Sequence, residues 1–349
     1  MKQTGSFETS AAPKEELSAD KESGGLIRGI LHDPLLLIPW TVSILIAISL
    51  PFLLPIYWTM IVTEILIMGF FAMSFNLLFG YTGLLSFGQA GFFGVGAYGV
   101  AIIISRGGDS IFLALLVGMA AAGVCSLVIG YLCVRRDEIY FAMITLGFGM
   151  MLFTIAHNWF EVTGGSDGLP LLNVPALHLP GVEVTLFDPK NMYFLVLAVC
   201  TIGALSLLRV VRSPFGLLLT AMRENKERIA FVGADVRRIR LLAFTVAGAF
   251  AGLSGGLFAL FNAMATPDVM HWAFSARPVL MTILGGATVF MGPFFGAAIF
   301  FILEQVTTHF TDNWMIVLGS IMIPMVIFFP RGILGTMVHR ARMKRSGRS

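Results

Sequence analysis

Apolar residues run along this chain in blocks of about twenty, broken by Pro, Gly and short charged clusters. Such blocks match the hydrocarbon core of a bilayer, about 30 Å thick, at a helical rise of about 1.5 Å per residue. They predict about ten membrane helices, over residues 35–55, 57–79, 83–104, 110–134, 139–159, 191–209, 241–263, 277–291, 294–311 and 313–330. The expected fold is therefore all-α and polytopic, with an eighth segment short enough to be re-entrant. Ahead of the first block, residues 1–34 are polar and mixed in charge and lack the short apolar run of a signal peptide. They read as a disordered cytoplasmic tail, with a short interfacial helix near residues 26–31.

Charge fixes the expected orientation, because basic residues collect on the cytoplasmic side. The interval 209–240 holds Arg209, Arg212, Arg223, Lys226, Arg228, Arg237, Arg238 and Arg240, and the tail 331–349 is similarly basic. Both should be cytoplasmic, and the four spans between them agree. Counting backwards puts Arg135 and Arg136 inside and the loop 160–190 outside. That loop carries Glu161, Asp167, Glu183 and Asp188 against Lys190 alone. The parity closes with both termini in the cytoplasm.

Composition strengthens this picture. Hydrophobic residues make up 57% of the chain and charged residues 12%, against about 25% charged in soluble domains; the mean hydropathy is +0.86. A net charge of only +3 gives no basis for a nucleic-acid partner, whereas membrane lipid is an obligatory one. Cys125, Cys133 and Cys200 lie in apolar runs, so no disulfide framework is expected, and no Cys/His spacing suggests a metal site.

The stretch GQAGFFGVGAYG (88–99) contains a literal G-x-G-x-x-G at Gly94, Gly96 and Gly99. No strand precedes it and no acid follows in a βαβ unit, so the dinucleotide reading fails. Gly88, Gly91 and Gly94 instead recur every three residues, as small residues do where membrane helices approach closely. They read as helix-packing positions that also permit a local break beside a pore.

The segment 213–244, SPFGLLLTAMRENKERIAFVGADVRRIRLLAF, follows a different pattern. Ser213 and Pro214 suit a helix start, and Leu218, Met222 and Ile229 form a broken apolar stripe. Glu224 and Arg228 have i, i+4 spacing. Gly233 is a natural stop, and Asp235 can cap the next helix. The prediction is a short amphipathic cytoplasmic helix, lying either on anionic lipid or in a groove on a partner protein.

This segment resembles the coupling region of permeases from ATP-binding-cassette importers for branched-chain amino acids. Six further stretches are similar to that family and occur in its order: SFGQAGFFGVGAY (86–98), YFAMITLGFG (140–149), TGGSDGL (163–169), LLAFTVAGAFAGLSGGLFA (241–259), LGGATVFMGPFFGA (284–297) and FFPRGILG (328–335). The resemblance implies a non-enzymatic, channel-forming subunit in the bacterial inner membrane, with a permease domain over 35–330 and a coupling segment over 210–240. Its implied partners are two cytoplasmic ATPase subunits, a second homologous permease and a periplasmic binding protein. It also implies ATPase contact through Arg223, Glu224, Asn225, Ala230 and Gly233. The chain has no G-x-x-x-x-G-K-[ST] loop, so it carries no cofactor of its own and ATP belongs to the partner ATPases. Two departures from the family pattern are Met150 after Gly149 and Arg136-Asp137-Glu138-Ile139 before Tyr140; they leave urea, short amides or small carboxylic acids open as alternative solutes.

Charges and amides within spans are candidates for a solute pathway. Glu64 and Glu304 are each either a buried structural acid or a solute contact. Ser86, Gln89, Asn76 and Thr145 bond either to neighbouring helices or to solute. Arg277 is expected to anchor at the headgroups at the outer end of its span. His157, His178, His271 and His309 are dispersed near predicted ends, which argues against a metal site or proton relay. A secondary transporter or channel would need paired intramembrane charges, and only Glu64 and Glu304 could begin such a path. A receptor or scaffold would carry a soluble signalling domain. Glycine-interrupted segments at 83–99 and 284–297 suggest an inverted repeat.

Overall fold

In the computed structural model the described residues are 48–135, 138–172, 175, 177–179, 182–310, 316, 317, 319, 320, 323, 324, 327 and 332–336. Residues 48–53 are helical and belong to a first unit ending at Leu53; everything below concerns the second unit, Leu54–Ser349. The tail 1–34, most of the first and tenth expected spans and most of 331–349 lie outside the described residues.

The helices, in chain order, are α1 (Ile56–Thr82), α2 (Gln89–Ser105), α3 (Ile111–Cys133), α4 (Glu138–Asn158), the single turn α5 (Phe160–Thr163), α6 (Pro189–Arg212), α7 (Pro214–Glu224), α8 (Lys226–Phe231), α9 (Val236–Asn262), α10 (Trp272–Gly285) and α11 (Gly292–Phe310). Of these, α1, α3, α4, α6 and α9 are long and apolar enough to cross a membrane. Side chains at their first turns satisfy amides that have no intrahelical acceptor. Ser110 Oγ accepts from Leu113 N–H, Asp188 accepts from Lys190 N–H ahead of α6, and Asp235 accepts from Arg237 and Arg238 N–H ahead of α9.

α1 forms the centre of this bundle. Its most apolar window is 89% buried within the protein, against 39%, 28% and 33% for α3, α4 and α6, whose remaining surface is apolar. Around α1 pack α6, α9, α10 and α11. Phe70 meets Phe250 of α9 edge-on with ring centres 5.9 Å apart. Beside it, α2, α3 and α9 pack against one another closely enough for backbones to touch. A β-carbon on Gly96 would lie 2.0 Å from the Gly252 carbonyl oxygen, so only glycine allows this approach. α10 and α11 form a second tight pair, with a β-carbon on Gly285 falling 1.7 Å from the Gly292 carbonyl oxygen.

Several expectations change. The third span, expected over 83–104, is helical only from Gln89; residues 83–88 are unwound. The eighth, expected over 277–291, is α10, whose 14 residues reach about 21 Å and fall short of a bilayer core. The fold is helical but not wholly so. The loop after α4 contributes β1 (Leu169–Pro170), which pairs antiparallel with β4 (Met264–Ala265) just after α9, and a hairpin of β2 (Leu177–Leu179) with β3 (Val182–Val184). These pairs satisfy backbone groups that an irregular loop would leave open. The predicted cytoplasmic helix splits at Asn225, whose φ of −155° and ψ of 105° are extended. Glu224 and Arg228 therefore lie on different helices and lose their i, i+4 relation.

Candidate functional site

The unwound segment begins where α1 stops. Gly83 adopts φ 75°, a left-handed conformation that glycine takes without strain. Its N–H and that of Leu84 both turn back to the Leu78 carbonyl. From there the chain runs through the interior, with Leu84 and Ser86 fully buried. Ser86 Oγ accepts from Gly88 N–H at 3.4 Å. α2 then starts inside the protein, and its Ala90 N–H donates to Ser275 Oγ of α10 at 3.1 Å.

Gln89, the first residue of α2, is 0% exposed, and neither of its amide atoms has a partner. Thr145 lies alongside: a β-carbon on Gly88 would stand 2.4 Å from its carbonyl oxygen, while its hydroxyl donates to Ala142 O. Gly91 faces Leu152 and Gly149 of α4, and Gly94 faces the Met270 side chain. Ser86, Gln89 and Thr145 thus gather around the buried start of α2, between α4 and α10. Ser275 completes this group; a serine four residues into a short apolar helix gave no signal in the sequence. Asn76 sits apart on α1, beside Gly80, buried and with its Oδ1 unpartnered.

Glu64 and Glu304 form a second group around Arg277. Arg277 Nη2 lies 3.5 Å from Glu304 Oε1, with side-chain exposures of 28% and 15%. Glu64 on α1 interacts electrostatically with both. The guanidinium also stands 5.2 Å from the Phe274 ring centre. Arg277 is therefore not a headgroup anchor but the counter-charge of two acids, because α10 and α11 fold back on each other. His157 and His271, dispersed in the chain, both meet the Phe153 ring, at 5.5 and 5.4 Å. Among the described residues no group of three metal-ligating side chains occurs.

The basic elbow is built from α7 and α8. Ser213 occupies the cap position of α7, but its hydroxyl donates back to Val210 O rather than accepting from the helix. Asn225 Oδ1 caps α8, accepting from Arg228 N–H at 2.9 Å, and Gly233 ends the elbow at φ 89°. α8 has no buried residue, and Phe231 and Val232 at its tip are 89% and 81% exposed. Glu224, Asn225, Ala230 and Gly233 are exposed with them. Arg223 is exposed as well, yet its guanidinium donates to the Gly80 carbonyl at the end of α1, and its stem lies against Gly83.

The sequence matches the family described as branched-chain amino acid transport system / permease component over residues 57–326. It is 28% identical to the high-affinity branched-chain amino acid transport system permease protein LivM of Escherichia coli (strain K12), over 83% of this chain and 73% of that protein. The probable branched-chain amino acid transport permease protein LivM of Methanocaldococcus jannaschii is 24% identical, over 71% of this chain and 80% of its own. LivH of Escherichia coli (strain K12), a permease protein of the same transport system, is 22% identical, over 76% and 90%. No solved structure matches. With the match running from the start of α1 past the end of α11, and with multi-pass apolar helices arranged around an internal break, this chain belongs to the branched-chain amino acid transport permease family.

Proposed function

We propose that this chain is the channel-forming permease subunit of an ATP-binding-cassette importer, passing branched-chain or related amino acids inward from a periplasmic binding protein. About ten helices would span the bacterial inner membrane, with both termini in the cytoplasm. A second, homologous permease completes the passage, and two ATPase subunits bind the ATP that this chain has no residues to hold. It transports without catalysing a reaction. Solute passes the buried start of α2, where Ser86, Gln89 and Thr145 offer hydrogen bonds, with Asn76, Glu64 and Glu304 elsewhere along the route. Gln89 supports this most directly: a buried amide left without partners costs about 1–3 kcal/mol, a cost that a bound polar solute would offset. Broken membrane helices are also where transporters hold polar groups away from lipid.

The observation that carries the ATPase partnership is the tip of α8. Phe231 and Val232 are large, apolar and exposed beside Arg228 and Lys226, which suits insertion into a groove on a cytoplasmic partner. Replacing both with serine should leave the permease folded in the membrane while the ATPase subunits no longer copurify and ATP-driven uptake of radiolabelled L-leucine is lost. Unchanged copurification and uptake would exclude the elbow as the ATPase grip.

A further inference from the structure

We propose that Arg223 is a positioning residue that transmits movement of the elbow to the two segments that interrupt the helices near it, 83–88 and 286–291. This rests on the ATP-driven reading above and assigns the path by which that energy would reach the interior. α1 ends at Thr82, so the Gly80 carbonyl is among the last four of the helix and has no amide four residues on to receive. The amide that would have served it, Leu84 N–H, turns instead to Leu78 O. The Arg223 guanidinium donates to that open carbonyl. A cation at a helix C-terminus is also favoured by the aligned peptide dipoles. Below the guanidinium, the Arg223 stem touches the Gly83 turn: a β-carbon there would meet its Cγ at 3.3 Å.

Both interrupted segments meet at this point. Gly83 leads directly into residues 84–88, of which Leu84, Ser86 and Gly88 are buried, and so to Gln89. On its other side, Gly80 backs onto the turn between α10 and α11, where a β-carbon would lie 2.6 Å from the Ala287 carbonyl oxygen. Two backbone stretches that lack regular helix are the parts of a packed bundle able to take up a second arrangement, since close-packed helices shift between discrete states rather than deform. Through one side chain α7 holds the end of α1, which continues into the first segment and backs onto the second. This gives Arg223 a role the basic pattern of the elbow does not suggest, because its guanidinium also holds a carbonyl of this chain.

The test uses the full importer in proteoliposomes, with radiolabelled L-leucine as solute and ATP hydrolysis measured in parallel. Arg223→Met should still copurify with the ATPase subunits and hydrolyse ATP, while leucine imported per ATP falls about tenfold, within the range of measured coupling between sites. Arg223→Lys, which keeps the charge but donates from a single point, should restore a substantial part of that ratio, a rescue that a merely bulky contact would not give. Import per ATP within about twofold of wild type in Arg223→Met would overturn the proposal. Should Arg223→Met fail to assemble, amide exchange in the wild-type complex decides. Residues 80–88 and 286–291 should change protection together with α7 between nucleotide-free and ATP-trapped states. An elbow that changes while both segments stay constant would overturn it. Failure of the wild-type complex to import leucine with ATP would instead remove the functional reading on which the proposal rests.

Discussion

Gly96→Ala isolates the contact that closes the α2–α3–α9 core. Its β-carbon would arrive 2.0 Å from the Gly252 carbonyl oxygen, where ordinary contact begins at 3.4 Å, so the helices must separate by 1.4 Å at this point. Neither side can relieve the clash by rotating a side chain, because both partners are backbone. Opening a packed interface by that distance forfeits a quarter to a half or more of the local dispersion energy. Overpacking costs about 1–3 kcal/mol, and a backbone-on-backbone clash belongs at the upper end. Alanine returns up to about 1 kcal/mol of helix propensity, leaving a net loss of about 2 kcal/mol. For a chain of this size, at about 2.1 cal/mol/K per residue, that corresponds to a fall of about 3 °C in midpoint. The assay is the monodisperse fraction of detergent-solubilised protein after stepwise heating. Gly147→Ala on α4 is the control: nothing lies within 4 Å of its β-carbon, so its midpoint should equal or slightly exceed that of wild type. Equal midpoints for the two variants would refute the reasoning that backbone contact, rather than helix propensity, decides the sign.

Two further outcomes follow from named contacts. Arg277→Met leaves Glu64 and Glu304 facing each other within the membrane and should cost about 3 kcal/mol, whereas Glu304→Gln leaves a balanced Arg277–Glu64 pair and should cost clearly less; the same heating assay ranks them, and the reverse order would contradict the shared counter-charge. Asp235→Ala should raise amide exchange in the first turn of α9 about fivefold, the equivalent of a lost cap of about 1 kcal/mol, and Asp235→Asn should recover most of it. Failure of asparagine to recover it would mean that the exposed 3.0 Å pair with Arg238, and not the cap, holds that turn.

Much of this architecture was legible because membrane helices announce themselves one at a time. Twenty apolar residues must form a helix in lipid whatever surrounds them, since no water remains to satisfy a bare backbone. The cap at Asp235 and the stop at Gly233 were readable for the same local reason, whereas Ser213, read as a helix start, turns its hydroxyl back to Val210 O. Hidden from that reading was anything requiring two distant segments at once. Residues 83–88 looked like the start of a helix, being apolar and small, yet they unwind because α2 begins against Ser275 of α10 and Thr145 of α4. Arg277 looked like an interfacial anchor until the fold of α11 onto α10 delivered Glu304 to it. Arg223 looked like a contact for a partner ATPase, and only the end of α1 shows the carbonyl of this chain that its guanidinium also reaches.

The sequence by itself determined that this is a helical membrane protein, where five helices long and apolar enough to cross a bilayer lie, and that a basic elbow interrupts them; each follows from the one-body preference of a segment for lipid or water. The tertiary structure decided which carbonyls and amides remain open once those segments meet. Hydrogen bonds, ion pairs and glycine contacts are relations between residues on different segments, 185 positions apart for Ala90 and Ser275, fixed only when close-packed backbones leave one partner in reach and exclude the rest. The buried start of α2 at Gln89 and the hold of Arg223 on α1 both arise from that selection.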